Sequence, residues 1–228
     1  MKSVKLAAAI SAGDLANLSK SVKEASDAGV DLIHIDVADG HFAPYITFGA
    51  GTVAAIRSIT SLPLDTHLLT SNPENHVEDF IKAGSDILTI HVETCDEKVA
   101  KRILEKIEGQ GRRMGLALKP RSVLPDWSKQ FLDRLHLINV MTVEPGLSGH
   151  TMDMGVLSKL ADYSKHLREA NPILELEVDG GVGPENAENL VSAGATILVA
   201  GGAVYRKGDV SEAVRSLKRC YVDQESNH

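Results

Sequence analysis

Ala28-Gly29-Val30-Asp31-Leu32-Ile33-His34 carries the architectural signal from which the fold is read. A helical stretch ends at an alanine, and the glycine after it takes the left-handed conformation that closes a helix at low steric cost. The aliphatic run that follows reads as a strand. The same order returns at Ala83-Gly84-Ser85-Asp86-Ile87-Leu88-Thr89 and at Ala193-Gly194-Ala195-Thr196-Ile197-Leu198-Val199. A unit of helix end, glycine cap and strand, repeated, is a βα repeat, and such repeats build a parallel sheet.

Short apolar runs at 4–10, 32–37, 64–68, 87–92, 114–118, 137–142, 174–178 and 197–200 read as strands. Helical periodicity covers 14–28, 75–83, 97–108 and 154–169 between them. About eight βα units in a chain of 228 residues predict a closed (β/α)8 TIM barrel in the α/β class. An open doubly wound sheet is the alternative. There is no linker, low-complexity tract or charge block, so residues 1–228 read as a single domain with a short polar tail from about 221.

Composition narrows the functional classes. Hydrophobic residues make up 43% of the chain and the net charge is −7, a balance that argues against an extended nucleic-acid surface. No run approaches the roughly 18 apolar residues of a membrane span. The apolar run 6–10 is too short for a signal-peptide core, and one distant cysteine pair, Cys95 and Cys220, builds no disulfide framework. The expectation is a cytoplasmic protein. A small anionic ligand stays compatible with the acidic charge, because backbone dipoles bind phosphate locally.

In a barrel of this kind the chemistry sits at the C-terminal strand ends. His34 and Asp36 are two apart on the second strand and therefore share a face. The third strand ends in Asp65-Thr66-His67 and the seventh in Glu177-Val178-Asp179. Two imidazoles and two carboxylates from three strands make a plausible divalent-metal shell. A single histidine on an apolar strand is more often a hydrogen-bonded core residue, so spacing alone leaves both readings open. Glycines cluster after the late strands, at Gly146 and Gly149, at Gly180-Gly181 and at Gly201-Gly202. Their N–H groups, with a helix start after the eighth strand, point to phosphate, although any one glycine pair is ordinary turn chemistry. Asp39 reads as a turn residue, His41 as loop and Trp127 as packing. His91 is either pocket or structural. Met152 is either lid or helix core, and Met154 is expected in the core.

Together these residues resemble the ribulose-phosphate 3-epimerase family over roughly 6–205. The resemblance rests on His34-Ile35-Asp36-Val37-Ala38-Asp39-Gly40-His41-Phe42, on Leu64-Asp65-Thr66-His67-Leu68, on Met141-Thr142-Val143-Glu144-Pro145-Gly146, on Glu177-Val178-Asp179-Gly180-Gly181-Val182 and on Val199-Ala200-Gly201-Gly202-Ala203. It implies that His34, Asp36, His67 and Asp179 bind one divalent metal, Zn first, with Fe(II), Mn or Co as alternatives. It implies that Asp36 and Asp179 are the acid/base pair, acting through an enediolate on a small phosphorylated sugar. It places His67, Met141, Gly146, Ser148, Gly149, Gly180, Gly181, Gly201 and Gly202 on substrate and phosphate. The implied reaction interconverts D-ribulose 5-phosphate and D-xylulose 5-phosphate in a homo-oligomer, with no nucleic-acid or membrane partner.

The chain also departs from the family pattern. Ala8 stands where a sugar-contacting hydroxyl is expected, Leu69 where a methionine is usual, and Glu144 before Pro145-Gly146 where asparagine or aspartate is common. Ala12-Gly13-Asp14 reads one residue longer than usual. His150, Val92 and Arg121 replace a glutamine, a proline and a glycine. This altered rim keeps open a six-carbon substrate such as D-allulose 6-phosphate, or a non-catalytic phosphosugar-binding barrel. A lyase or decarboxylase on the same scaffold would need an Asp-x-Lys-x-x-Asp signature, which the strand ends lack.

Overall fold

A computed structural model describes residues 3–146, 152–206 and 208–222. Ser148 and Gly149, expected over the substrate, lie outside the described residues, as does His150. Eight strands form a closed parallel barrel in sequence order. They are β1 (Lys5–Ala9), β2 (Leu32–Ala38), β3 (Leu64–Leu69), β4 (Ile87–His91), β5 (Arg113–Leu118), β6 (Leu137–Met141), β7 (Glu175–Asp179) and β8 (Ile197–Ala200). Pairing of β8 with β1 closes the ring and excludes the open sheet.

The helices are α1 (Leu18–Asp27), α2 (Ala50–Arg57), α3 (Val77–Ala83), α4 (Glu97–Gly109), α5 (Val156–Ala170), α6 (Ala187–Ser192), α7 (Gly202–Tyr205) and α8 (Val210–Val222). Unit five is the exception to the repeat. Pro120 and Pro125 interrupt the segment after β5, and only a 3-10 turn, Asp126–Phe131, forms before β6. The glycines of the repeated unit behave as expected: Gly29, Gly84 and Gly194 take φ of 87°, 100° and 108° behind α1, α3 and α6. Tyr221, where the polar tail was expected to begin, is buried in the last turn of α8.

Strand alternation divides the core in two. Outward residues such as Ile33, Ile35, Leu68, Ile90 and Val178 pack against the helices. Helix α4 shows the matching pattern, burying Ala100, Ile103, Leu104 and Ile107 while the Asp96 side chain accepts from Val99 N–H at its start. Each such aliphatic side chain contributes about 1.5–3 kcal/mol through burial. Inside the barrel, Ala7, Leu32, Ile87, Leu137 and Ile197 form an apolar layer near the strand beginnings. Above it the interior turns polar, with His34, Asp65, Thr89, Asn139 and Glu177 all fully buried. This polar layer is the platform of the site.

Ala8 faces outward into the helix-packed core. The alternation of β1 turns Ala7 and Ala9 inward instead, so Ala8 is not the residue that leaves a hydroxyl missing from the site.

Candidate active site

At the C-terminal end of the barrel lies a cavity of about 1000 Å³. Asp36 and Asp179 face into it from the ends of β2 and β7, and Met141, Gly146, Gly180, Gly181, Gly201 and Gly202 line it as expected. Leu69 lines it too. Met152 is buried against it, whereas Met154 is 55% exposed at its mouth and is not the core residue expected.

His34, Asp36, His67 and Asp179 each bring one donor atom to a common point, all within 4.8 Å of one another. His34 Nε2 is 3.2 Å from Asp36 Oδ1 and 3.8 Å from Asp179 Oδ2. His67 Nδ1 is 3.3 Å from Asp36 Oδ1 and 3.5 Å from Asp179 Oδ2. Both rings are fully buried, and neither lines the cavity wall. His67, expected on both metal and substrate, turns its Nδ1 toward the common point.

The donor set fits a divalent cation on an independent ground. His67 Nδ1 is buried and makes no hydrogen bond, a costly state for a polar atom unless something else occupies its lone pair. The layer below orients the other ring. His34 Nδ1 lies 2.8 Å from Asp65 Oδ2, which leaves Nε2 as the edge aimed at the common point. Thr89 donates to Asp65, and Asn139 Nδ2 donates to Glu177 Oε1 at 2.7 Å.

Charge follows this geometry. Burial disfavours a proton on His34, but the carboxylates of Asp65 and Asp36 outweigh it and hold the ring well above the usual histidine value. His67 is raised in the same way, burial being outweighed by Asp179 and Asp36. Burial alone would raise Asp36; the charge of His34, its hydrogen bond and the nearby His67 instead hold it well below the ordinary carboxylate range. Burial and the Asp65 carboxylate push Glu177 well up. A point that raises two histidines attracts positive charge, and ligand atoms of this kind exchange protons for a cation.

The glycine loops form the opposite wall. Gly146 has φ 94°, and a Cβ there would sit 2.6 Å from Pro44 Cδ, so this approach of the loops requires glycine. The N–H groups of Gly180, Gly181 and Gly201 donate to no described residue and remain open to an anion. Helix α7 is a single turn of four residues, so the dipole expected after β8 adds little.

Four residues were missed in the sequence reading. Ser11 Oγ, at the end of β1, donates to Asp36 Oδ2 at 3.1 Å and puts a hydroxyl in the cavity. Tyr45 lines the cavity, and burial with the Asp36 and Asp179 charges raises its phenol to about 12. Arg206 packs over Gly202 at the glycine end with no carboxylate among the described residues in ion-pairing range. Glu93 accepts from His91 Nδ1 at 2.9 Å and from Lys119 N–H at 2.9 Å. His91 thus stands behind His67 rather than on the cavity wall. Asp39 is the turn residue expected, accepting from Ser71, His41 and Phe42 N–H groups. Trp127 packs edge-on against Phe131.

The (β/α)8 barrel thus brings two carboxylates and two imidazoles together beneath a glycine-walled cavity, the layout of a barrel enzyme's site. The sequence model of the ribulose-phosphate 3 epimerase family matches residues 5–205. The chain is 39% identical over 216 residues to a ribulose-phosphate 3-epimerase of Bacillus subtilis, covering 94% of this chain and 98% of that one. It is 40% identical over 209 residues to a chloroplastic ribulose-5-phosphate-3-epimerase of Arabidopsis thaliana, covering 92% and 74%. Among solved structures, 3-hexulose-6-phosphate synthase from Salmonella typhimurium matches with a TM-score of 0.72 at 13% identity, over 96% of this chain and 99% of that one. At that identity the likeness concerns the fold alone. The chain belongs to the ribulose-phosphate 3-epimerase family and is an isomerase-class epimerase of carbohydrates.

Proposed function

We propose that this chain interconverts D-ribulose 5-phosphate and D-xylulose 5-phosphate, with Asp36 and Asp179 as the acid/base pair. The observation that carries the reading is the meeting of these two carboxylates on the cavity floor with His34 and His67, all donor atoms within 4.8 Å. The names of the similar proteins support the pentose substrate.

Inversion at a carbon beside a carbonyl needs a proton removed from one face and another delivered to the opposite face. Asp36 comes from β2 and Asp179 from β7, two strands separated in the ring by β8 and β1. One carboxylate, ionised, takes the C3 proton. The other, protonated, returns one from the far side, and the roles exchange in the reverse direction. Ser11 holds Asp36 Oδ2 on the cavity side while Oδ1 faces the histidines. Tyr45 stays a neutral phenol near both carboxylates. The open N–H groups of Gly180, Gly181 and Gly201 hold the phosphate, with Gly146, Gly202 and Met141 completing the wall. Ser148 and Gly149 are proposed as further substrate contacts on the family resemblance alone.

His34, Asp36, His67 and Asp179 would hold one divalent cation, Zn(II) first by its taste for imidazole and carboxylate, with Fe(II), Mn(II) or Co(II) as alternatives. Such an ion supplies Lewis-acid stabilisation of the negative charge that builds on the substrate oxygens. The protein is proposed to work in the cytoplasm as a homo-oligomer. No helix among the described residues is long and apolar enough to cross a membrane.

The test is product formation followed by NMR with ribulose 5-phosphate and allulose 6-phosphate, before and after chelation. Rapid, chelator-sensitive formation of the C3 epimer from the pentulose supports the reading. Faster turnover of the hexulose would move the substrate to six carbons, and no turnover of either by metal-replete protein would leave a binding barrel.

A further inference from the structure

We infer that Glu93 is a positioning residue that dictates, through His91, which ring nitrogen His67 offers to a cation. The inference rests on the reading of His67 as a metal ligand and adds a device to it. Glu93 sits on the 3-10 turn Val92–Thr94 after β4. Its Oε1 accepts from Lys119 N–H at 2.9 Å, which anchors the carboxylate to the end of β5. Its Oε2 lies 2.9 Å from His91 Nδ1.

An ionised carboxylate only accepts hydrogen bonds, so the His91 proton is on Nδ1 and its Nε2 carries a lone pair. That lone pair lies 3.0 Å from His67 Nε2. Two lone pairs cannot meet at that distance, so His67 Nε2 carries the hydrogen and donates it. A neutral His67 then has a bare Nδ1, the buried atom without a hydrogen-bond partner that faces Asp36 and Asp179. The opposite assignment would place the proton of His67 on Nδ1 and bar that atom from a metal. The two rings lie nearly parallel, with centroids 5.0 Å apart, and both are fully buried.

Glu93→Gln separates this from a packing role. Lys119 N–H claims the new amide oxygen, which turns the NH2 group toward His91 Nδ1. His91 must then adopt the Nε2–H form, which opposes the His67 Nε2–H and drives the His67 proton to Nδ1. In metal-stripped protein titrated with Co2+ by absorption, Glu93→Gln is expected to weaken binding about 10–100-fold. Glu93→Ala, which admits water able to accept from His91, is expected to weaken it less. A packing role predicts the reverse order, since the amide is the closer match in shape. Adding His91→Gln to Glu93→Gln supplies a rotatable amide whose oxygen can accept from His67, and is expected to restore most of the affinity. Ring nitrogen-15 NMR of metal-free protein at alkaline pH is expected to show His91 protonated on Nδ1 in the wild type and on Nε2 in Glu93→Gln. Wild-type His91 protonated on Nε2, or Co2+ affinity in Glu93→Gln equal to wild type, would overturn the relay alone. A wild-type protein that binds no Co2+ would overturn the metal reading and this inference with it.

Discussion

At the residue scale, the site divides by how each side chain reaches it. Strand alternation put His34 and Asp36 on one face, and the family resemblance then singled out these two with His67 and Asp179; spacing alone left their role open. The same rule explains the error at Ala8: a one-residue shift in β1 turns a side chain from the sugar to the helices, and only the observed register settles that phase. Ser11, Tyr45 and Arg206 reach the cavity from loops and a helix end, where no periodicity guides a reader. Substitution Asp36→Asn or Asp179→Asn is expected to lower kcat by about 10²–10⁴-fold with an unchanged circular dichroism spectrum. Arg206 brings a guanidinium to the glycine end of the cavity, where the phosphate is proposed to bind, away from the carboxylates proposed to act on C3. Arg206→Gln is therefore expected to raise KM about tenfold, or ~1.4 kcal/mol, at unchanged kcat, with Arg206→Lys in between. Steady-state kinetics at fixed ionic strength decide both.

The elements were read more securely than their edges. Every strand lies where the apolar runs placed it, because a buried parallel strand is a continuous aliphatic run bounded by turn residues. Helix α4 was legible from its 3–4 spacing, whereas unit five was not predicted to lose its α-helix, since the effect of Pro120 and Pro125 depends on how the short remainder packs. Loop 39–49 escaped notice as a unit. Thr47 ties it back to β2, its Oγ1 donating to Asp36 C=O at 2.6 Å and accepting from Ala38 N–H at 2.8 Å, and this tether places Tyr45 near the carboxylates. Ile103 on α4 is fully buried while Ile173 is 74% exposed before β7. Urea unfolding is expected to show a loss of about 2–5 kcal/mol for Ile103→Ala and a change within about 0.5 kcal/mol for Ile173→Ala.

On the scale of the whole molecule, the buried histidines fall into two opposed groups. Burial lowers His91 to about 4, and burial with the Arg113 charge lowers His136 to about 4. Between these values and about 6.5 the unfolded chain binds more protons, so stability falls as pH drops through that window. His34 and His67 are raised, so the stability they contribute to metal-free protein is complete below about 6.5 and is lost as pH rises toward their folded values. Urea midpoints of metal-stripped protein are therefore expected to peak near pH 6.5, and saturating Zn(II) is expected to remove the alkaline decline, because bound metal stabilises the folded state. The barrel concentrates these opposed groups at one end, where two carboxylates approach a single cavity from different sides. Whether they act as a two-base pair is read most directly from the first turnovers of ribulose 5-phosphate in heavy water, with deuterium at C3 of product and residual substrate measured by NMR. The expected result is product fully deuterated at C3 while the remaining substrate keeps its protium. Protium carried from substrate into product would mean that one group serves both faces, contradicting the assignment of Asp36 and Asp179 to opposite sides of C3.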